Sequence, residues 1–135
     1  MKMYQKMGIK VSPTYSLNFD PIKRLKKKIK FIVIHYTGMK TDSAAIQRLQ
    51  NPKSKVSSHF YVKKNGNLLV LVPELYEAWH AGISSWKNYK SLNKYSIGIE
   101  ISNPGHQFGY KDFSSKQIHT LKKLLLLFFS LITTL

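Results

Sequence analysis

The fold of this chain is decided by one stretch, Phe31-Ile32-Val33-Ile34-His35-Tyr36-Thr37. Its β-branched and aromatic side chains favour a β-strand, and both alternating faces are mostly apolar. This pattern predicts a central strand that is covered on both sides. His35 lies at the end of the strand, just before Gly38, where a rigid element can present a side chain to a cleft. The alternative is a core histidine that bonds a backbone carbonyl.

Length and composition limit what can surround this strand. The chain has 135 residues, enough for one domain with one sizeable core. Hydrophobic residues make up 43% of it, which indicates a globular chain rather than a disordered one. There is no cysteine, so disulfides, thiol nucleophiles and cysteine-ligated metal sites are excluded.

The charge of the chain is strongly basic, with 22 Lys and Arg against 6 Asp and Glu and a net charge of +16. Such an excess favours a polyanionic partner: nucleic acid, an anionic membrane surface or an acidic cell-wall polymer. Residues 23–30 form the densest basic run, which could contact such a partner or simply be a solvated approach to the strand. A nucleic-acid-binding protein should interleave basic and aromatic residues on one face, and only this run is found. We therefore expect no nucleic-acid partner.

The first ten residues carry basic side chains without an apolar segment behind them, so no signal peptide is predicted. No stretch reaches the ~20 apolar residues of a membrane span. The expected location is the cytoplasm, with the bacterial envelope as the alternative.

Further along, the pattern predicts a helix over 42–49 that is capped by Thr41 or Asp42. Strands are predicted over 58–63 and 68–72, around an Asn-Gly turn, and over 96–102. These elements predict an α/β or α+β domain with a central mixed β-sheet flanked by helices. Residues 1–30 are interpreted as a basic lead-in, and residues 31–135 as the domain.

The last helix is predicted to start at a capping box over 114–117. Its expected core positions are Ile118, Leu121, Leu125 and Phe128. Residues 124–135 carry no charge, which is more typical of a buried helix than of a membrane span. This helix is expected to be partly uncovered, and an exposed apolar patch of this kind could drive self-association.

Glu100 is the only carboxylate on a predicted strand, and it shares a face with Gly98, where a substrate or a metal could approach closely. The alternative is a salt bridge to one of the many lysines. In the segment 78–82, Trp79 offers a flat surface suited to sugar rings, or it anchors the loop on the core.

A hydrolytic zinc site needs about three protein ligands and an open water position. No two histidines stand at a short metal-binding spacing, so spacing alone assigns no site. The candidates are His35, His59, His80, His106 and His119.

Motifs at 31–37, 57–62, 66, 78–82 and 96–101 occur in one order and together resemble the zinc-dependent N-acetylmuramoyl-L-alanine amidases. This family is related to the anhydro-muropeptide amidases, the phage lysozyme-type amidases and the peptidoglycan recognition proteins. The resemblance implies a central mixed sheet flanked by helices. It also implies hydrolysis of the amide between N-acetylmuramic acid and L-alanine.

The same resemblance implies roles for single residues. His35 corresponds to the first Zn²⁺ ligand, and Glu100 to the acid/base that acts on the zinc-bound water. Substrate-groove positions are implied for Trp79, His80 and Asn93. His59 matches a family strand residue that is not a ligand.

In the family, a second zinc histidine, a third ligand and a lysine follow the last helix, whereas this chain ends at Leu135. The resemblance therefore predicts a C-terminally truncated domain in which Zn²⁺ is weakly held or absent. The expected partners are peptidoglycan or muropeptides. Two alternatives stay open: a peptidoglycan-binding module without catalysis, and a basic nucleic-acid-binding protein.

Overall fold

The computed structural model describes the backbone of residues 1–133 and the side chains of residues 1–130. The prediction of an uncharged apolar end reaching residue 135 thus lies partly outside the described residues. The helices are α1 (Lys2–Lys6), α2 (Asp42–Gln50) and α3 (Ser115–Thr133). The strands are β1 (Val11–Pro13), β2 (Phe19–Asp20), β3 (Phe31–Tyr36), β4 (Phe60–Val62), β5 (Leu68–Val70), β6 (Glu77–Ala78), β7 (Ser85–Trp86), β8 (Tyr89–Lys90) and β9 (Ser96–Ile101).

Five strands form the main sheet in the order β1-β5-β4-β9-β3. The β4–β5 pair is antiparallel and the other three pairs are parallel, so the sheet is mixed, as predicted. Two small antiparallel pairs, β2–β6 and β7–β8, lie outside it. The predicted class, a mixed central sheet with helices, is confirmed.

The prediction that the first strand is central is wrong. β3 is an edge strand of the described sheet and pairs with β9 alone. Ile34 is 47% exposed and Tyr36 54% exposed, both on the same face. Apolar alternation reports which faces a strand buries, and it carries no information on how many neighbours bond the strand.

Each face of the sheet is covered by a helix. On one face, Leu124 and Phe128 of α3 pack into the larger core cluster. On the other face, Ala45 and Leu49 of α2 pack on Tyr61 and its neighbours. The result is three layers, with α2 and α3 on opposite sides of the sheet.

Both helix starts agree with prediction. The Thr41 hydroxyl accepts the backbone N–H of Ala44 at 3.1 Å and caps α2. At α3, Ser114 Oγ accepts the Gln117 N–H at 3.1 Å, and Gln117 Oε1 accepts the Ser114 N–H at 3.0 Å. This reciprocal pair is the capping box.

The predicted core face of α3 is partly wrong, because Ile118 is 39% exposed. Among the described side chains of the helix, the buried ones are Gln117, Thr120, Leu124 and Phe128. Two of them are polar and are satisfied by distant carbonyls: Gln117 donates to Ser102 O at 2.8 Å, and Thr120 to Gly66 O at 2.6 Å. The outer side exposes Leu126 at 69%. None of the helices described over residues 1–133 combines the length and apolar character that crossing a bilayer requires.

The segment before residue 30 contributes to the same core. β1 pairs in parallel with β5, and Tyr4, Ile9 and Ile29 are buried. The lysines of the basic run are exposed, as a solvated approach predicts, but Arg24 is half-buried. Its guanidinium donates to Asn93 O and Glu74 O, both at 2.8 Å, and burial lowers its pKa to about 10. A domain boundary at residue 30 stays a prediction.

Candidate functional site

Three side chains from adjacent strands stand in one row across the sheet. His35 of β3 and Tyr61 of β4 are both register partners of Glu100 of β9. Neighbouring strands lie about 4.8 Å apart and register partners share a face, so the three side chains project together. The face is the one that α2 covers, and Tyr61 is held there by a 2.8 Å hydrogen bond to Asp42 Oδ1.

A cleft of about 370 Å³ opens on this face. Its lining includes Glu100, Trp79 and His80, three of the side chains predicted at a functional site, together with Arg48 of α2. Its volume is in the range of small-molecule sites. His35 adjoins the cleft through His80, since His35 Nε2 lies 3.0 Å from His80 Nδ1.

The hydrogen bonds around His80 define a directed chain. Ser96 Oγ donates its single hydrogen to Leu92 O at 2.6 Å, so it can only accept from His80 Nε2, 3.0 Å away. His80 therefore carries its hydrogen on Nε2 and accepts at Nδ1. It follows that His35 donates from Nε2 and that its other ring nitrogen, Nδ1, is left without a partner among the described residues.

Burial keeps the two imidazoles of this hydrogen-bond chain, His35 and His80, neutral. The pKa of His80 is lowered to about 2, first by burial and then by electrostatic repulsion from its neighbours His59, His35 and Arg24 when these are protonated. Burial also lowers the pKa of His35. A neutral His80 is what the directed chain requires, because a protonated ring could not accept at Nδ1.

Gly98 makes room for His80. A Cβ added at residue 98 would overlap the imidazole, lying 2.7 Å from its Nδ1 and closer still to two ring carbons. The small-residue face seen in the sequence is therefore a steric requirement of this histidine.

His59 is a core residue with both ring nitrogens in use. Gly98 N–H donates to its Nδ1 at 2.9 Å, so Nε2 carries the hydrogen and donates to Tyr76 O at 2.7 Å. Arg24 Nη2 lies 3.2 Å from Nε2, but two donors cannot bond each other. The ring is fully buried, and burial, with the Arg24 charge, lowers its pKa to about 3. This geometry favours the non-ligand position that the resemblance implied.

Glu100 is the carboxyl that lines the cleft. Its Oε2 is buried and has no hydrogen-bond partner in the described part of the chain. Burial raises the pKa of Glu100 to about 7, and the positive charge of Arg48 opposes this rise. A carboxyl that titrates near neutrality can take up and release a proton under physiological conditions, as an acid/base residue must.

Asn93 positions the loop that carries Trp79 and His80. Its Oδ1 accepts the backbone N–H groups of His80 at 3.1 Å and Ala81 at 2.8 Å. Trp79 N–H in turn donates to Ser57 Oγ at 2.8 Å. Asn93 is not among the residues that line the cleft, so its predicted substrate contact stays a prediction.

The described residues alone do not fit a zinc site. No group of three His, Cys, Asp or Glu side chains among them could hold a metal ion. Of the three imidazoles in or beside the cleft, His35, His59 and His80, only His35 has an uncommitted ring nitrogen among the described residues. His106 and His119 are exposed, and His106 stacks on Tyr110 instead. We therefore derive no chemical step through zinc.

Comparison with known proteins identifies the family to which this chain belongs. A family model described as N-acetylmuramoyl-L-alanine amidase matches residues 25–129. The chain belongs to this amidase family. The predicted relationship is thereby confirmed, and amidases of this family are typically zinc-dependent.

Among sequence relatives, this chain is 44% identical over 87 residues to N-acetylmuramoyl-L-alanine amidase AmiD of Escherichia coli, covering 59% of this chain and 30% of AmiD. It is 32% identical over 72 residues to 1,6-anhydro-N-acetylmuramyl-L-alanine amidase AmpD of Citrobacter freundii, covering 53% and 38%. The chain thus spans about a third of the length of the curated relatives it matches.

Among solved structures, AmpDh3 of Pseudomonas aeruginosa superposes with a TM-score of 0.68 at 29% identity, over 82% of this chain and 47% of that one. The E. coli AmiD complex with anhydro-N-acetylmuramic acid-L-Ala-D-γ-Glu-L-Lys has a TM-score of 0.66 at 36% identity, over 76% and 44%.

Sequence reasoning missed three residues of this site: Arg48, Tyr61 and Ser96. For Arg48 a signal existed, since it lies three residues after Ala45 and therefore on the same helix face as a core residue. For Ser96 the signal was its place on the small-residue face. Nothing local marked Tyr61, because its site position depends on strand register.

Proposed function

We propose that this amidase domain binds muropeptides in the cleft between α2 and the sheet, and that Glu100 acts there as the acid/base for cleavage of the N-acetylmuramoyl–L-alanine amide. The observation that carries the proposal is that Glu100, which lines the cleft, has a buried oxygen, Oε2, with no hydrogen-bond partner among the described residues. Trp79 and His80 line the same space, where a sugar ring or a peptide could pack against them. The AmiD complex, at 36% identity, supports a muropeptide as the ligand.

In this proposal each residue has a separate task. Glu100 takes a proton from the water that attacks the amide carbonyl, and it gives this proton to the L-alanine amine as the C–N bond breaks. His35 presents one imidazole nitrogen as a single metal ligand, and His80 fixes the orientation of that ring. Asn93 holds the backbone of the Trp79-His80 loop, which makes its action on the substrate indirect.

A muropeptide-binding module without catalysis is the second candidate. It is favoured by the potential zinc ligands near the cleft, because the described residues offer one free imidazole nitrogen there, whereas a hydrolytic zinc site needs three protein ligands. Weak zinc retention stays a prediction, as do the absence of a nucleic-acid partner and self-association through α3.

One experiment separates the two candidates. The chain is titrated with anhydromuramyl-L-Ala-D-γ-Glu-L-Lys by calorimetry, and release of the tripeptide is followed by chromatography with and without added Zn²⁺. Glu100→Gln should keep binding and lose any turnover, whereas the matched control Glu74→Gln should change neither. Binding without turnover selects the binding module, and absence of binding refutes both candidates.

A further inference from the structure

Arg48 is a cation in the lining of the cleft whose guanidinium has no partner among the described residues. It lies in the last turn of α2, it is exposed, and it lines the same cleft as Glu100, Trp79 and His80. Among the described residues its guanidinium makes no hydrogen bond and no salt bridge. Outside the helix ladder, only its backbone carbonyl is bonded, and it accepts from Ser54 Oγ. No other Lys or Arg of the described part of the chain lines this cleft.

Arg48 and Glu100 line the same cleft. The two opposite charges form no salt bridge, yet Arg48 is the charge that acts on the Glu100 carboxyl across the cleft. An arginine in the last turn of a helix also interacts favourably with the helix dipole, which is the purely structural explanation for its position. That explanation does not account for a guanidinium whose donors all remain available on the wall of a cleft.

The chemistry of a muropeptide supplies a matching anion. In a stem peptide with the order L-Ala-D-γ-Glu, the glutamate continues the chain through its side-chain carboxyl, so its α-carboxylate is free. That carboxylate belongs to the residue directly after the L-alanine whose amide is cut, and adjacent Cα atoms are about 3.8 Å apart. A group this close to the scissile bond stays within the cleft when the bond lies at Glu100.

We propose that Arg48 is a specificity residue that binds the free α-carboxylate of the γ-linked glutamate in the stem peptide. This inference rests on the proposed function, since it needs a muropeptide in the cleft. The planar guanidinium can bind a carboxylate through two parallel hydrogen bonds, which a lysine cannot reproduce. Arg48 thereby selects stem peptides whose glutamate is a free acid over those in which it is an amide.

The test uses two ligands that differ in one group: muramyl-L-Ala-D-γ-Glu-L-Lys and the same tripeptide with D-isoglutamine, whose α-carboxyl is an amide. The affinity of each is measured by calorimetry at moderate salt. The wild type should prefer the acid by about tenfold, the size of one charge-assisted pair at a partly exposed site. Arg48→Gln should remove this preference while its affinity for the amide stays within about twofold, and Arg48→Lys should restore it only in part.

Non-specific attraction to a chain of charge +16 is controlled by Lys122→Gln, which removes one exposed charge on α3, across the sheet from the cleft. This control should keep the wild-type preference. Equal binding of both ligands by the wild type overturns the inference and leaves the proposed function standing. An equal loss of preference in both variants overturns it as well, whereas failure of the wild type to bind either ligand is the failure of the proposed function.

Discussion

Replacing Glu100 by glutamine should stabilise the folded chain at alkaline pH and leave its stability unchanged in acid. The structure raises the pKa of this carboxyl from 4.5 to about 7, mainly through burial. A glutamine of the same shape cannot ionise, so it carries no cost for burying a charge. The difference in unfolding free energy between the two proteins therefore measures the cost of burying the Glu100 carboxylate.

The sign follows from proton linkage. Because the folded pKa lies above the unfolded one, the folded chain binds the proton more tightly between these two values. The stability that Glu100 contributes is fully present below pH ~4.5 and is lost as the pH rises through about 7. A shift of about 2.5 units corresponds to about 3 kcal/mol, at 1.36 kcal/mol for each unit.

The assay is denaturant unfolding of the wild type and Glu100→Gln at several pH values between 4.5 and 8.5. The difference in unfolding free energy should start near zero and grow to about 3 kcal/mol in favour of the variant. The buried histidines titrate alike in both proteins, so their contribution cancels in the difference. A difference that is flat with pH, or a variant that is less stable at pH 8.5, would refute the assignment of Glu100 as a buried carboxyl with a raised pKa.

Three further predictions concern the surroundings of the site. Gly98→Ala should destabilise the chain by about 2 kcal/mol or more in thermal unfolding, because its methyl group must displace the His80 ring; an unchanged midpoint contradicts the close approach. Long-range ¹⁵N–¹H spectra at pH 7 should show His80 and His35 as neutral rings with the hydrogen on Nε2, and Ser96→Ala should shift the His80 signals. A hydrogen on Nδ1 of His80 would contradict the proposed direction of these hydrogen bonds. Leu126→Lys should reduce concentration-dependent association in sedimentation velocity, because this leucine is 69% exposed. A wild type that stays monomeric at all concentrations would contradict self-association through α3.

Features that rest on neighbouring residues could be predicted from the sequence. The caps of α2 and α3 are examples, because each depends on two residues three positions apart. The core face of α3 could not be predicted in the same way. Thr120 is buried since its hydroxyl donates to Gly66 O, 54 residues away, and no local pattern encodes that partner.

In the candidate site, too, features set by neighbouring residues could be predicted and features set by distant contacts could not. The position of Glu100 on a small-residue face is local, and it marked this residue as a candidate. That His35 lies beside Glu100 depends on the parallel register of β3 and β9, which a periodic pattern does not contain. The family resemblance carried this information, but it carried nothing about Arg48.

The edge position of β3 has a consequence for folding. The only partner of β3 in the described sheet is β9, and the bond from Thr37 N–H to Ile101 O next to this pair closes a long loop. A second contact there, from Thr37 Oγ1 to Asn103 O, joins residues 66 positions apart. Contacts of such sequence separation form late, because the entropy of closing the loop opposes them. Until then β3 is a bare apolar strand that can pair with another chain. Yield and solubility should therefore respond to substitutions along β9 even where these leave the cleft untouched. By the same reasoning, a variant that is soluble and unfolds cooperatively has formed the β3–β9 pair. A loss of function in such a variant therefore reflects the chemistry of the cleft and not a failure to fold.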